Sequence, residues 1–246
     1  MKLINKIIIL LLGIFIMLGS CKKDPLKTED KVSPHDILSD KKYGKVVVSV
    51  VYEKGYALDP QTIRNLQGFL SARINKPDGI FFTTKEIPVQ GKSYVGVTDL
   101  QNMEKQYRTG FSKGNTIEIF VFVTSADFAE SSGNAKVLGV AYGNTSIALF
   151  GKTINSYSGG LTQPPRSILE STVAEHEFGH LMGLVDNGTN MVEYHRDVNN
   201  GRHCDKKNCL MYYAAETSDI VSNLLGGEIP VLENYCIRDL QFNGGK

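Results

Sequence analysis

The stretch Ala174-Glu175-His176-Glu177-Phe178-Gly179-His180-Leu181-Met182-Gly183 decides how this chain is read. On a helix, residues four apart lie on one face. His176 and His180 then aim their imidazoles at one point, where a divalent cation can sit. Glu177 is one step round and reaches a water on the same ion. The helix has its own start signal: Ser167-Ile168-Leu169-Glu170 fits a capping box. Leu169, Val173, His176, His180 and Leu184 follow at helical spacing, and Gly183 is where the helix should stop.

The chemistry of this pattern is specific. Zn²⁺ in a catalytic site takes three protein ligands and keeps one position open for water. The ion acidifies that water and polarises a carbonyl. A neighbouring carboxylate then moves the proton, a role that suits Glu177. The sequence therefore predicts Zn(2+) as cofactor and a zinc metallopeptidase as enzyme class. The third ligand is left to Asp186, His195 or His203.

Working outward, Lys45 to Tyr52 is a β-branched run and reads as a buried strand. Asp59-Pro60 opens a helix to about Asn75. Ile80 to Val89 reads as strand and Asp99 to Tyr107 as a short helix. Thr116 to Thr124 is the most strand-like stretch. Val137 to Tyr142 and Ser146 to Phe150 flank Gly143-Asn144 as a hairpin, and Ser146 to Phe150 is the expected cleft-edge strand. Beyond Gly183 the chain is loop-like until the apolar island Cys209 to Tyr213. Glu233 to Phe242 reads as a closing helix. This order describes an α/β (α+β) fold with a mixed sheet, packed helices and a small loop-rich C-terminal lobe. The domain spans 45–246, with an upper lobe to about 184 and a lower lobe over 185–246.

The front end differs in kind. Residues 1–21 read as a secretory signal, with Lys2 and Lys6 before an apolar run too short to span a membrane comfortably. Leu18-Gly19-Ser20-Cys21 resembles a bacterial lipobox, which implies lipidation of Cys21 and a membrane anchor. Residues 22–44 are polar, carry Pro25 and Pro34, and read as a flexible tether. The expected location is the bacterial envelope, at the outer membrane or cell surface rather than the inner membrane. Net charge is +1 over 246 residues, without basic–aromatic clusters, so nucleic acid is not an expected partner. A protein or peptide substrate is expected, with the chain a monomer. Export favours one disulfide among Cys204, Cys209 and Cys236. Asp127, Asp186 and Asn187 make no calcium loop.

Two blocks of the chain resemble the metzincin clan of zinc metalloproteases. His176 to Gly183 is similar to the clan's zinc helix. His203-Cys204-Asp205-Lys206-Lys207-Asn208-Cys209-Leu210-Met211 is similar to the archaemetzincin block His-Cys-x4-Cys-x-Met. The resemblance implies His203 as third zinc ligand and Met211 as the Met-turn floor beneath the metal. It implies an oxyanion role for Tyr213. Asp186 stands where other metzincins place their third ligand, and His195 is the remaining alternative. Cys204 and Cys209 are the disulfide candidate that would hold the returning loop. The chain departs from the family in the long insertion between Gly183 and His203. The family's later Cys-x-x-Cys is absent, so a second structural zinc is not expected. One alternative is a non-catalytic, zinc-stabilised surface lipoprotein that binds a protein or glycan. Another is a gluzincin arrangement with Glu193 or Glu216 as ligand.

Overall fold

The computed structural model describes residues 31–131 and 135–246. Along the chain come α1 (Pro34–Leu38), β1 (Lys45–Glu53), α2 (Pro60–Arg73), β2 (Ile80–Ile87), β3 (Tyr94–Val95), α3 (Val97–Tyr107), β4 (Thr116–Thr124) and β5 (Asp127–Phe128). Then follow β6 (Gly139–Ala141), β7 (Ser146–Phe150), α4 (Gly151–Ser156), α5 (Arg166–Leu181) and α6 (Asn234–Phe242).

The β-branched runs make the centre. One sheet has the order β2-β1-β4-β7-β6, and β3 pairs with β5 in a small ladder. β2, β1, β4 and β7 run parallel, and β6 is antiparallel to β7. β4 is central and buried from Ile119 to Thr124, which its valines and phenylalanines suit. Alternation splits its side chains between two cores. Ile119 and Val121 meet Val48 and Val50 under α2 and α5, with Leu66, Leu70, Val173 and Phe178. Phe120 and Phe122 face the other way, toward Leu100 of α3 and Phe128 of β5.

Three expectations change. The tether predicted through Gly44 does not hold over 31–44. α1 is capped by Ser33 with Asp36, and Ile37, Leu38 and Tyr43 are fully buried. Lys76 Nζ fastens this segment by donating to the carbonyls of Asp36 (2.7 Å), Tyr43 (2.8 Å) and Ser39. The polar composition hid a few apolar anchors. The leader, Cys21 and residues 22–30 lie outside the described residues. Among the described residues, no helix is long and apolar enough to cross a membrane.

The predicted cleft-edge strand also moves. β7 lies inside the sheet, buried at every residue, and β6 is the edge. Finally, Ser167 does not cap α5. The helix starts after Pro165, without a side-chain cap. Glu170 instead turns inward, where its carboxylate accepts from Asp59 N (2.7 Å), Thr62 Oγ1 (2.8 Å) and Arg166 Nη2 (2.9 Å). It ties the start of α5 to the start of α2.

Candidate metal centre

α5 is buried all round from Leu169 to Leu181 rather than along one stripe. The sheet covers one side, and the segment after it covers the other. The helix ends as predicted: Gly183 has φ +83°, and its N–H donates to His180 O at 3.0 Å. Val185 and Asp186 follow at φ 56° and 59°. Non-glycine residues rarely hold this region, so the turn below the helix is strained.

His176 and His180 share a face, as the spacing requires, with Nε2 atoms 3.1 Å apart. His203 joins them. The ring centroids are separated by 4.7 Å (176–180), 5.2 Å (176–203) and 5.1 Å (180–203). His176 Nδ1–H donates to Leu210 O at 2.7 Å, and His203 Nδ1–H donates to Asn200 O. These bonds fix the tautomers and leave both Nε2 lone pairs facing inward. Burial, then the neighbouring histidine, drops His176 and His180 to about 3, so both stay neutral at ordinary pH. For His203, burial pulls down, but Glu216 outweighs it and the pKa rises.

Glu216 is the fourth member. Its Oε2 is 3.6 Å from His203 Nε2 and 3.9 Å from His176 Nε2. Candidate ligand atoms of His176, His180, His203 and Glu216 all lie within 4.8 Å of one another. Burial raises the Glu216 carboxyl, but its proximity to His203, and then to His176, holds it below its usual range.

Glu177 is fully buried beside this group, and neither carboxylate oxygen has a hydrogen-bond partner. Burial, then the Glu216 charge, pushes its pKa well up. The edge strand crosses directly over it: a Cβ on Gly139 would stand 3.1 Å from Glu177 Oε1. His203 Nε2 is likewise buried and unpartnered. Unsatisfied buried acceptors with converging lone pairs are what a cation relieves. Three imidazoles and a carboxylate are borderline donors of the kind zinc takes.

Met211 forms the floor. It is fully buried, and a Cβ on Gly179 would lie 2.2 Å from its sulfur. The second variable position of the His-Glu-x-x-His segment is thus glycine because methionine fills that space. A cavity of about 280 Å³ opens beside His180, lined by Pro34, Ala141, Asn144 and Asn187.

The other candidates fall elsewhere. Asp186 Oδ2 is held by Arg202 (2.7 Å) and Arg196 (3.4 Å), at the surface. Tyr213 lies against Tyr212, with centroids 4.5 Å apart. Glu193 pairs with Arg238 at 2.7 Å on the surface.

His195 belongs to a second group. The expected Cys204–Cys209 disulfide is not formed; Cys204, Cys209 and Cys236 are free and buried. His195 Nδ1 is 3.3 Å from Cys204 Sγ and 4.0 Å from Cys236 Sγ, and Cys209 Sγ is 3.6 Å from Cys236 Sγ. Tetrahedral zinc with bonds of about 2.3 Å sets sulfurs about 3.8 Å apart. The far nitrogen of His195 donates to Asp239 Oδ2 at 2.8 Å, the carboxylate support usual for a metal-bound imidazole. His195, Cys204 and Cys236 thus make a second group able to hold a metal, with His195 coming from the insertion. Asp239 and the Leu210 carbonyl escaped sequence reading, and Glu216 entered it only as a gluzincin alternative, since nothing local marks a residue that a distant loop recruits.

Comparison with solved structures bears on the fold. Archaemetzincin from Methanopyrus kandleri matches with TM-score 0.54 at 14% identity, over 81% of this chain and 96% of that one. The fold is archaemetzincin-like. A zinc-dependent peptidase from Methanocorpusculum labreanum (strain Z) matches with TM-score 0.48 at 14% identity, over 78% of this chain and 99% of that one. Metalloproteinase-II from Bacteroides fragilis matches with TM-score 0.46 at 13% identity, over 83% of this chain and 54% of that one. No family model and no curated protein sequence matches the chain.

Proposed function

We propose that this chain is a zinc-dependent endopeptidase, with His176, His180 and His203 as ligands and Glu177 as general base. The observation that carries this reading is the Glu177 carboxylate, buried with both oxygens unpartnered beside converging imidazoles. A purely structural site has no use for it. Zinc held there supplies Lewis acidity toward a carbonyl and an acidified water. Glu177 takes a proton from the attacking water on a carboxylate oxygen and returns it to the leaving amine. β6 offers an open edge to which an extended peptide adds by backbone hydrogen bonds. The cavity beside His180 receives a side chain next to the scissile bond.

The second group, His195, Cys204, Cys209 and Cys236, holds a structural zinc in the same reading. The chain acts outside the cytoplasm, anchored through Cys21. A non-catalytic zinc-stabilised protein is favoured only by Glu216, which makes the histidine group four-membered.

The test is casein cleavage by wild type and Glu177→Gln, with zinc content measured on both. The variant should keep its zinc and lose about 10²–10⁴-fold in rate. Undiminished cleavage by the variant, or cleavage that survives chelation, refutes the reading.

A further inference from the structure

The histidine group has one donor too many for an open site. Catalytic zinc keeps a coordination position free, whereas closed four-ligand sites are structural. Here Glu216 projects its carboxylate toward the face on which the three imidazoles converge. It comes from the short 3₁₀ turn Tyr213–Glu216, which begins two residues after Met211.

A second observation concerns the backbone around it. Residues 216–218 run antiparallel beside 136–138, the lead into β6. Leu138 N–H donates to Glu216 O at 2.8 Å, and Ser218 N–H donates to Lys136 O at 2.8 Å. Val137 and Thr217 form the bridge between them. Lys136 N–H donates to Ser218 Oγ at 2.9 Å. The chain thus adds its own segment to the sheet edge just before Gly139, where β6 passes over Glu177. An extended substrate would use the continuation of the same edge.

We propose that Glu216 is a displaceable fourth metal ligand, carried on a strap that pairs with the edge just ahead of the substrate strand and closes the site. The carboxylate fills the position that a substrate carbonyl or water needs. Pairing of 216–218 with 136–138 holds it there in substrate-like fashion. Opening requires only that the strap peel from the edge, because Met211 and His203 are fixed independently beneath it. The proposal rests on the histidine group holding a metal, and its activity arm also rests on the peptidase reading.

The experiment uses the Co²⁺-substituted chain, read by its visible absorption and by titration with acetohydroxamate, a small bidentate metal ligand. Wild type is compared with Glu216→Ala and Ser218→Pro. Ser218 is the first residue of the next 3₁₀ helix, behind the Thr217 cap. Proline is tolerated there, while both bonds to Lys136 are lost. Both variants should change the cobalt spectrum and bind acetohydroxamate about tenfold more tightly, the scale on which metal sites answer to altered surroundings. Both should also raise kcat/KM on a peptide. Unchanged spectra and hydroxamate affinity in Glu216→Ala overturn the proposal. So does a fall in kcat/KM with metal retained, which would make Glu216 part of the catalytic machinery. If no form cleaves peptide, the endopeptidase reading fails, but the spectral arm still decides whether Glu216 is a ligand.

Discussion

On one side of α5 the chain is fixed by ladders: β1 pairs with β2 and β4 along nearly its whole length, and apolar side chains fill both faces. On the other side, between Met182 and Glu233, there is no strand among the described residues, only turns and two 3₁₀ pieces. That part is fixed by side chains reaching across it: His195 to Asp239, Cys209 to Cys236, and His176 to the Leu210 carbonyl. Ladders and burial are distributed and tolerate local loss. A few convergent polar groups do not, because each one removed strands its partners in a buried place.

Metal removal should break this contrast most visibly. With a strong chelator, amides of 185–233 should lose protection against hydrogen exchange while β1 and β4 keep theirs. Structural zinc contributes several kcal/mol or more to the segment that binds it. Cys209→Ser should have the same effect and should also weaken metal binding at the histidine group. The two groups share a backbone: His203 precedes Cys204, and Cys209 precedes Leu210 and Met211. Simultaneous loss of protection in β1 and β4 would mean that the sheet layer does not stand by itself.

The seam between the two parts is Gly179 over Met211. Gly179→Ala places a methyl 2.2 Å from the Met211 sulfur and 3.0 Å from its methyl carbon. Alanine is the better helix former, which offsets part of the clash. Net destabilisation of about 1–2 kcal/mol is expected from overpacking, at the low end because methionine is adaptable. Adding Met211→Ala should return much of that loss in a double-mutant cycle. Strict additivity would place the methionine's constraint elsewhere. The contrast would then sharpen, with α5 belonging wholly to the sheet layer.

The same division governs what could be read in advance. β1, β4 and α2 are announced by period and by β-branched runs, because their burial is local and repetitive. His176, Glu177 and His180 are legible because one helical turn fixes their relation. His203 and Met211 needed the resemblance, since no periodicity links them to α5. Ser146–Phe150 was legible as a strand but not as an inner one, because strand order depends on pairing far along the chain. The docked segment 31–44 was misread because Ile37, Leu38 and Tyr43 are too sparse among polar residues to outweigh composition. The second cysteine group was missed for a related reason. It includes a histidine from the insertion, which no cysteine spacing announces.

The smallest expected effect lies inside the sheet layer, at Glu175. It is 5% exposed on α5, and burial raises its carboxyl to about 8, with Arg73 pulling weakly the other way. A carboxyl raised in the folded state binds a proton that the unfolded chain has already released. Between the ordinary value near 4.5 and about 8, the native state therefore holds more protons, and stability falls as pH rises through that window. Above it, both states are ionised and the dependence levels off. Arg73 and water soften the burial and so narrow the window; within it Glu175→Gln should flatten the slope, by about 1 kcal/mol in total and by no more than about 1.4 kcal/mol per pH unit, the limit for one proton. Chemical denaturation at several pH values between 5 and 9 measures it. A slope identical in wild type and variant would mean that the Glu175 carboxylate finds its counter-charge without cost. The layer above α5 would then be apolar in its energetics as well as in its composition.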